Sequence, residues 1–391
     1  MVRRESLLVV VLLAWFALAQ VAQAAAPVLV YHGDAEPVRV TPDEVALAQR
    51  VAAALTRPGG SPPLLDRALV GAARNLTRGT SPRSGLSASG VSDAFALPVS
   101  YTAVDGMEPM APVRELLETD VRRAEPTHFG VGIVGSGATT RVGMVFVRRG
   151  ARLGRFPRYV EIGDKFLLNG QLEQGYTEPL LLLATPDGRV QEHKPRFEHG
   201  VFWARIPFLG GAGRYHIELQ ARDRFGVQVL NLMEVHAFHP GEPREAAVVR
   251  LRPAAVPVAD AAQAEERAVR LINRARKMAR LAPVTLSATL RDQARRHSND
   301  MVRDRWFGHD SPTRGGLGKR MERAGLADVL AVENVAVAPS PELAHSELVR
   351  SPSHLRNILD PDVTHVGVGA RQRRGGAQPV FTFTQIFARL P

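Results

Sequence analysis

Thr127-His128-Phe129-Gly130-Val131-Gly132 returns as Thr364-His365-Val366-Gly367-Val368-Gly369, with only the third residue changed. Upstream of each copy lies a second matched segment, PPLLDRALVGAAR from Pro62 and PVTLSATLRDQAR from Pro283. Both copies keep the order helix, helix, linker, glycine-bearing strand, apolar strand. Two segments matched in one order imply a single fold used twice, hence an old duplication. Chance likeness between Ala- and Arg-rich helices is the alternative, and the shared order argues against it. The repeat also settles the glycine pattern from Gly130 to Gly135. It lacks the following helix and the acidic residue of a dinucleotide loop. Both glycine sets read as strand positions where another backbone comes close or the strand bulges.

The chain has 391 residues, enough for two or three hydrophobic cores. Its start reads as a signal peptide over 1–24: Arg3 and Arg4, an apolar run over 7–19, and the small-residue site Ala22-Gln23-Ala24. The run is shorter than the roughly 20 residues of a bilayer span, so an uncleaved anchor ranks second. No later segment is apolar enough to cross a membrane, and the mature chain is expected in the periplasm or outside the cell. Cysteine is absent. That excludes acylation at a lipobox, disulfides and thiolate zinc sites, and leaves His and carboxylate sites open. The net charge of +11 comes from 46 Arg and 4 Lys set against 39 acidic residues. The arginines are scattered, not interleaved with aromatics. With export, this argues against nucleic acid and leaves an anionic surface as a lesser option.

Thr41-Pro42-Asp43-Glu44 opens a helix: Thr41 caps, Pro42 suits the first turn, and Glu44 completes a capping box. A second helix is expected over 65–76. Residues 77–110, rich in Ser, Gly and Pro, read as irregular. A short helix over 113–122 precedes strands at 130–134 and 141–148. Over 151–240 the pattern becomes serial strands. Tyr215, Ile217 and Leu219 alternate with polar neighbours, and Thr185-Pro186-Asp187-Gly188 makes a turn. This predicts a β-sandwich over 151–240 with no catalytic cluster. Pro240, Pro243, Pro253 and Pro257 mark a linker over 241–263. Helices over 264–280, 287–303 and 341–350 follow, then strands over 366–370 and 380–387. The fold class is α+β, with units at 41–150, 151–240 and 264–391.

The chemistry concentrates in three polar islands: HSNDMVRDRWFGHDSP from His297, ENVA from Glu333, and SPSHLRNILDPDVTHVGVG from Ser351. They lie too far apart to meet in one helix. Glu333 interrupts the apolar run AVENVAVA, where a charge must be paired or face a cavity. His309 sits between Trp306-Phe307 and Asp310-Ser311-Pro312, an apolar edge beside a polar turn. His354 falls in the first turn of a helix, whose positive end favours a neutral ring. Two imidazoles and a carboxylate suit a divalent metal such as zinc, or a polar cleft. His297 lies on the core face of its helix and reads as a core histidine. Gln385 reaches either the cleft floor or a neighbouring strand.

These islands, with HVGVG at His365 and TQIF at Thr384, resemble the CAP superfamily over about 264–390. That group comprises the cysteine-rich secretory, antigen 5 and pathogenesis-related 1 proteins, also called SCP-like; the likeness is to its bacterial extracellular branch. The resemblance implies a three-layer α-β-α sandwich for 264–391 and a degenerate copy of it over 41–150. It also implies an exported protein with a His/Glu cleft that can take a divalent metal. His309 and Glu333 match the family's first cleft histidine and glutamate, with Val332 replacing the usual glycine. The family's tryptophan and second glutamate fall on Leu348 and Ser351, and its second histidine on Thr382. His354, from the bacterial SPxH element, then supplies the other imidazole.

The candidate cleft is therefore His309, Glu333, His354 and Gln385, with His309 and His354 as candidate metal ligands. The first copy has no histidine between Leu76 and Pro126 and no ENVA-like element. Two function classes stay open. One is a non-enzymatic binding or scaffold protein for a small ligand, lipid or cell-wall component. The other is a metal-assisted hydrolase using Glu333 and a metal-bound water. No cysteine nucleophile, HExxH helix or GxSxG elbow is present, which argues against nucleophilic catalysis. The sandwich and the first copy read as recognition modules without a catalytic group, which favours binding.

Overall fold

A computed structural model describes residues 30–32, 38–104, 108, 110–122, 124–135, 139–242, 258, 260–373 and 380–390. The expected signal peptide and most of the expected linker lie outside them. The fold is α+β, and its two outer sheets share one plan. The first runs, in spatial order, Leu64–Leu65, His128–Val134, Thr139–Val147, Ala96–Val104. The last runs Thr285–Leu286, His365–Arg373, Val380–Ala388, Ala331–Ala338. Each opens with a short parallel pairing, Leu64 opposite His128 and Thr285 opposite His365.

The repeated glycines have a steric reason. A Cβ on Gly130 would lie 2.1 Å from the Leu69 carbonyl carbon, and one on Gly367 would lie 2.1 Å from that of Leu290. Helices Arg67–Thr77 and Ala288–Arg303 therefore rest directly on strand backbone. An ion pair on a buried glutamate recurs beside each contact. Arg74 Nε donates to Glu44 Oε1 at 2.7 Å, and the Ile133 amide donates to the same oxygen. Arg295 Nε donates to Glu265 Oε1 at 3.0 Å, and the Ala370 amide does likewise.

Alternation along the last strands sorts side chains to two faces. Val366, Val368 and Phe387 meet Ala268, Ile272, Leu348 and Ile358 from helices Ala261–Met278, Pro341–Arg350 and Pro352–Ile358. Ile386 and Ala388 meet Leu290, Ala294 and Met321 on the other side. The sheet is the middle of three layers.

Between the outer units, strands from Ala151–Leu153 to Gly226–Phe238 form a five-stranded and a four-stranded sheet. Leu168, Leu172, Phe202 and Ile206 from one pack with Leu181, Leu183, Ile217, Leu219, Met233 and Val235 from the other. This is face-to-face sandwich packing.

Residues 77–110 correct the sequence reading. They hold helix Pro82–Ala88 and strand Ala96–Val104. The Ser81 side chain caps the helix and Pro82 starts it. The strand buries only Val99 fully, so its alternation was too weak to stand out among Ser, Gly and Pro. The second helix starts at Arg67 rather than residue 65, because Leu64–Leu65 pair with strand His128–Val134 and Asp66 caps.

Gly367→Ala is expected to destabilise by at least about 2 kcal/mol through overpacking against backbone. Gly318→Ala, whose Cβ would meet nothing within 4 Å, should be neutral or slightly stabilising. Urea unfolding of the two variants measures the contrast.

Candidate functional site

Glu333 sits in strand Ala331–Ala338 with its side chain 2 % exposed, and Arg320 is fully buried beside it. Arg320 Nη1 donates to Glu333 Oε2 at 2.9 Å and Nη2 donates to Oε1 at 3.0 Å. The same Nη2 donates to the His309 carbonyl at 3.1 Å. Arg320 therefore fixes both the glutamate and the backbone carrying His309. Burial alone would raise the Glu333 carboxyl. The charges of His297 and Arg320 and the hydrogen bond from His309 outweigh it, and hold the group well below the usual carboxylate range. Burial in turn pushes the His297 ring below its ordinary value, with the charge of Glu333 opposing it.

His309 Nδ1 lies 3.0 Å from Glu333 Oε1. A carboxylate only accepts, so this nitrogen carries a proton and Nε2 is the ring atom left over. His354 Nδ1 lies 2.6 Å from Ser351 Oγ, a hydroxyl that can donate or accept. Burial lowers the His354 ring to about 3, with His309 adding in the same direction, so it is neutral near pH 7. His297 is fully buried, with Nε2 donating to the Gly308 carbonyl at 3.1 Å and a ring edge towards Trp306. It is a core residue, as its helix face implied.

Gln385 is buried opposite Asn334 in the strand ladder and accepts from Asn334 Nδ2 at 3.2 Å. Asn334 Nδ2 also donates to the His354 carbonyl, and Asn357 donates to Asn334 Oδ1. Gln385 thus braces the neighbouring strand. Among the described residues, no three His, Asp or Glu side chains converge as a metal ligand set.

The sandwich contributes to this region. Phe225, in the turn after strand Gly213–Asp223, accepts through its carbonyl from the amides of His309 at 3.1 Å and Asp310 at 3.0 Å. Its ring stacks on Trp306 at 6.1 Å. Fully buried Glu218, on the same strand, accepts from Ser351 Oγ. Sequence reasoning missed Arg320 and Glu218. The signal for Arg320 was the demand of Glu333 for a partner in an apolar run.

The cysteine-rich secretory protein (CAP) family model matches residues 269–387. The protein YkwD of Bacillus subtilis is 37 % identical over 106 residues, which are 27 % of this chain and 41 % of that protein. The chain thus spans less than half the length of this curated relative. An extracellular protein containing an SCP domain from Bacillus anthracis is 19 % identical, with TM-score 0.30, over 58 % of this chain and 82 % of its own. A cysteine-rich secretory protein from Staphylococcus aureus is 12 % identical, with TM-score 0.27, over 67 % and 83 %. No helix among the described residues is long and apolar enough to cross a membrane.

The depressed groups set a pH dependence. An unfolded histidine near 6.5 takes up its proton before folded His354 does, so stability falls as pH drops from about 6.5 towards 3. Glu333 acts in the same direction below the unfolded carboxylate pKa of about 4.3, because its folded pKa is lowered. His354→Gln should reduce the slope of stability against pH between 7 and 4.5 by up to one proton, about 1.4 kcal/mol per pH unit. Urea midpoints across that range measure it, and an unchanged slope would contradict the assignment.

Proposed function

We propose, from the match of residues 269–387 to the cysteine-rich secretory protein (CAP) family model, that the chain is an exported binding protein. Its C-terminal cleft holds a small, hydroxyl-rich fragment of the cell wall and does not turn it over. The observation carrying this reading is the clamp on Glu333. Both carboxylate oxygens are held by Arg320, and one also accepts from His309. A general base needs a lone pair within reach of a substrate proton and a pKa near working pH. Glu333 has its oxygens engaged and its pKa depressed. It supports the cleft wall, and the imidazole Nε2 atoms of His309 and His354 are the groups left for recognition. Ring nitrogens of this kind hydrogen-bond hydroxyl and amide groups, which suits a glycan fragment better than an acyl chain.

The donor set does not fit a resident zinc ion. A catalytic zinc site uses three protein ligands, and here two imidazoles stand beside a carboxylate already committed to Arg320. The matched strand order of the outer sheets and their matched Glu–Arg pairs support a common origin for the two outer units. In that reading the first unit keeps the scaffold without the cleft.

Calorimetric titration of the purified chain with soluble cell-wall glycan fragments tests the proposal. His309→Ala and His354→Ala should each weaken binding about 5- to 10-fold, the scale of one lost hydrogen bond. The fragments should be recovered intact. Their cleavage, abolished by Glu333→Gln in a folded protein, would overturn this reading in favour of the hydrolase.

A further inference from the structure

Glu218 is a fully buried acid of the sandwich, and it accepts a hydrogen bond from Ser351 of the C-terminal unit. It belongs to strand Gly213–Asp223, where Ile217 and Leu219 point into the sandwich core. Glu218 therefore faces outward, and helix Pro352–Ile358 packs against that outer face. The groups that reach Glu218 are donors. Ser351 Oγ donates to Oε2, Gln220 Nε2 donates to Oε1 at 2.7 Å, and the Ser353 amide lies 3.5 Å from Oε2. A set of donors suits an acceptor-only carboxylate. Ser351 has one hydroxyl proton. Once it is donated to Glu218, Ser351 Oγ meets His354 Nδ1, 2.6 Å away, as an acceptor.

We propose that Glu218 is a positioning residue of the cleft: through Ser351 it fixes the ring of His354 as the Nδ1–H tautomer and leaves Nε2 as a bare lone pair. The cleft is then a two-unit site. The sandwich holds one imidazole through Glu218 and Ser351, and the backbone of the other through the Phe225 carbonyl. This deepens the binding reading by fixing the polarity of the ligand. The group opposite His354 must be a hydrogen-bond donor, such as a sugar hydroxyl or an amide N–H. An acceptor there would meet a lone pair with a lone pair. Burial is the larger effect on the Glu218 carboxyl and pushes it above the usual carboxylate range. The hydrogen bonds from Ser351, Ser353 and Gln220 offset this only in part, so the donor geometry alone carries the assignment.

The relay is tested without any ligand, so its failure is separable from failure of the binding proposal. Long-range proton–nitrogen NMR on the full chain, with ¹⁵N-labelled histidine and His354 assigned from His354→Gln, reads the tautomer directly. Wild-type protein should show a protonated Nδ1 and a pyridine-like Nε2. Glu218→Ala and Ser351→Ala should each erase most of a roughly tenfold preference, the scale of one hydrogen bond to a charged group. Ser351→Ala cuts the relay without removing the buried acid, so it carries the test if Glu218→Ala does not fold. An Nε2–H tautomer in the wild type would overturn the proposal. So would a tautomer ratio unchanged in Ser351→Ala.

Discussion

The buried pair of Arg320 and Glu333 is the interaction on which the C-terminal unit turns. Two charges in the core are costly unless each meets the other in good geometry. Here a planar guanidinium meets a carboxylate through two parallel hydrogen bonds, an arrangement lysine could not reproduce. The second bond also ties in the His309 carbonyl, so the pair joins strand Ala331–Ala338, helix Leu317–Glu322 and the His309 loop at one point. The placing of His309 follows from this. With the glutamate locked, His309 Nδ1 has a fixed acceptor and its ring has one orientation.

The same chain shows scaffold and site as separable. Glu44–Arg74 and Glu265–Arg295 hold the first helix of each outer unit against its sheet, and glycines at matched positions let the second helix rest on strand backbone. Those features need only packing and one satisfied ion pair. The first unit has them, with no histidine between Leu76 and Pro126 and no ENVA-like element. The sandwich differs from both, because the face of its five-stranded sheet that would otherwise meet water is covered by helix Pro352–Ile358.

Much of this was legible before any coordinates. The THxGVG repeat pointed to paired strands against helices, and alternation at Tyr215, Ile217 and Leu219 pointed to a sandwich face. His309, Glu333 and His354 stood out in the sequence because short motifs carry them. Arg320 was not found, since Lys319-Arg320 reads locally as an ordinary charged turn of a helix. Burying it depends on a strand partner 13 positions later in the chain. Glu218 was hidden for a related reason. Alternation assigns it to the outward face of its strand, and only tertiary docking turns that face inward. Local pattern gives the face a side chain takes, but not what later covers that face.

A double-mutant cycle on Arg320→Met and Glu333→Gln, read by equilibrium unfolding of the full chain, tests the central claim most directly. If the pair organises the cleft, each single substitution strands a buried group and costs about 3–5 kcal/mol. The double variant should then lose little more than either single, a coupling of at least about 2 kcal/mol. Costs that simply add, or single losses below about 1 kcal/mol, would show that the two residues stand independently and that the cleft is held together by something else.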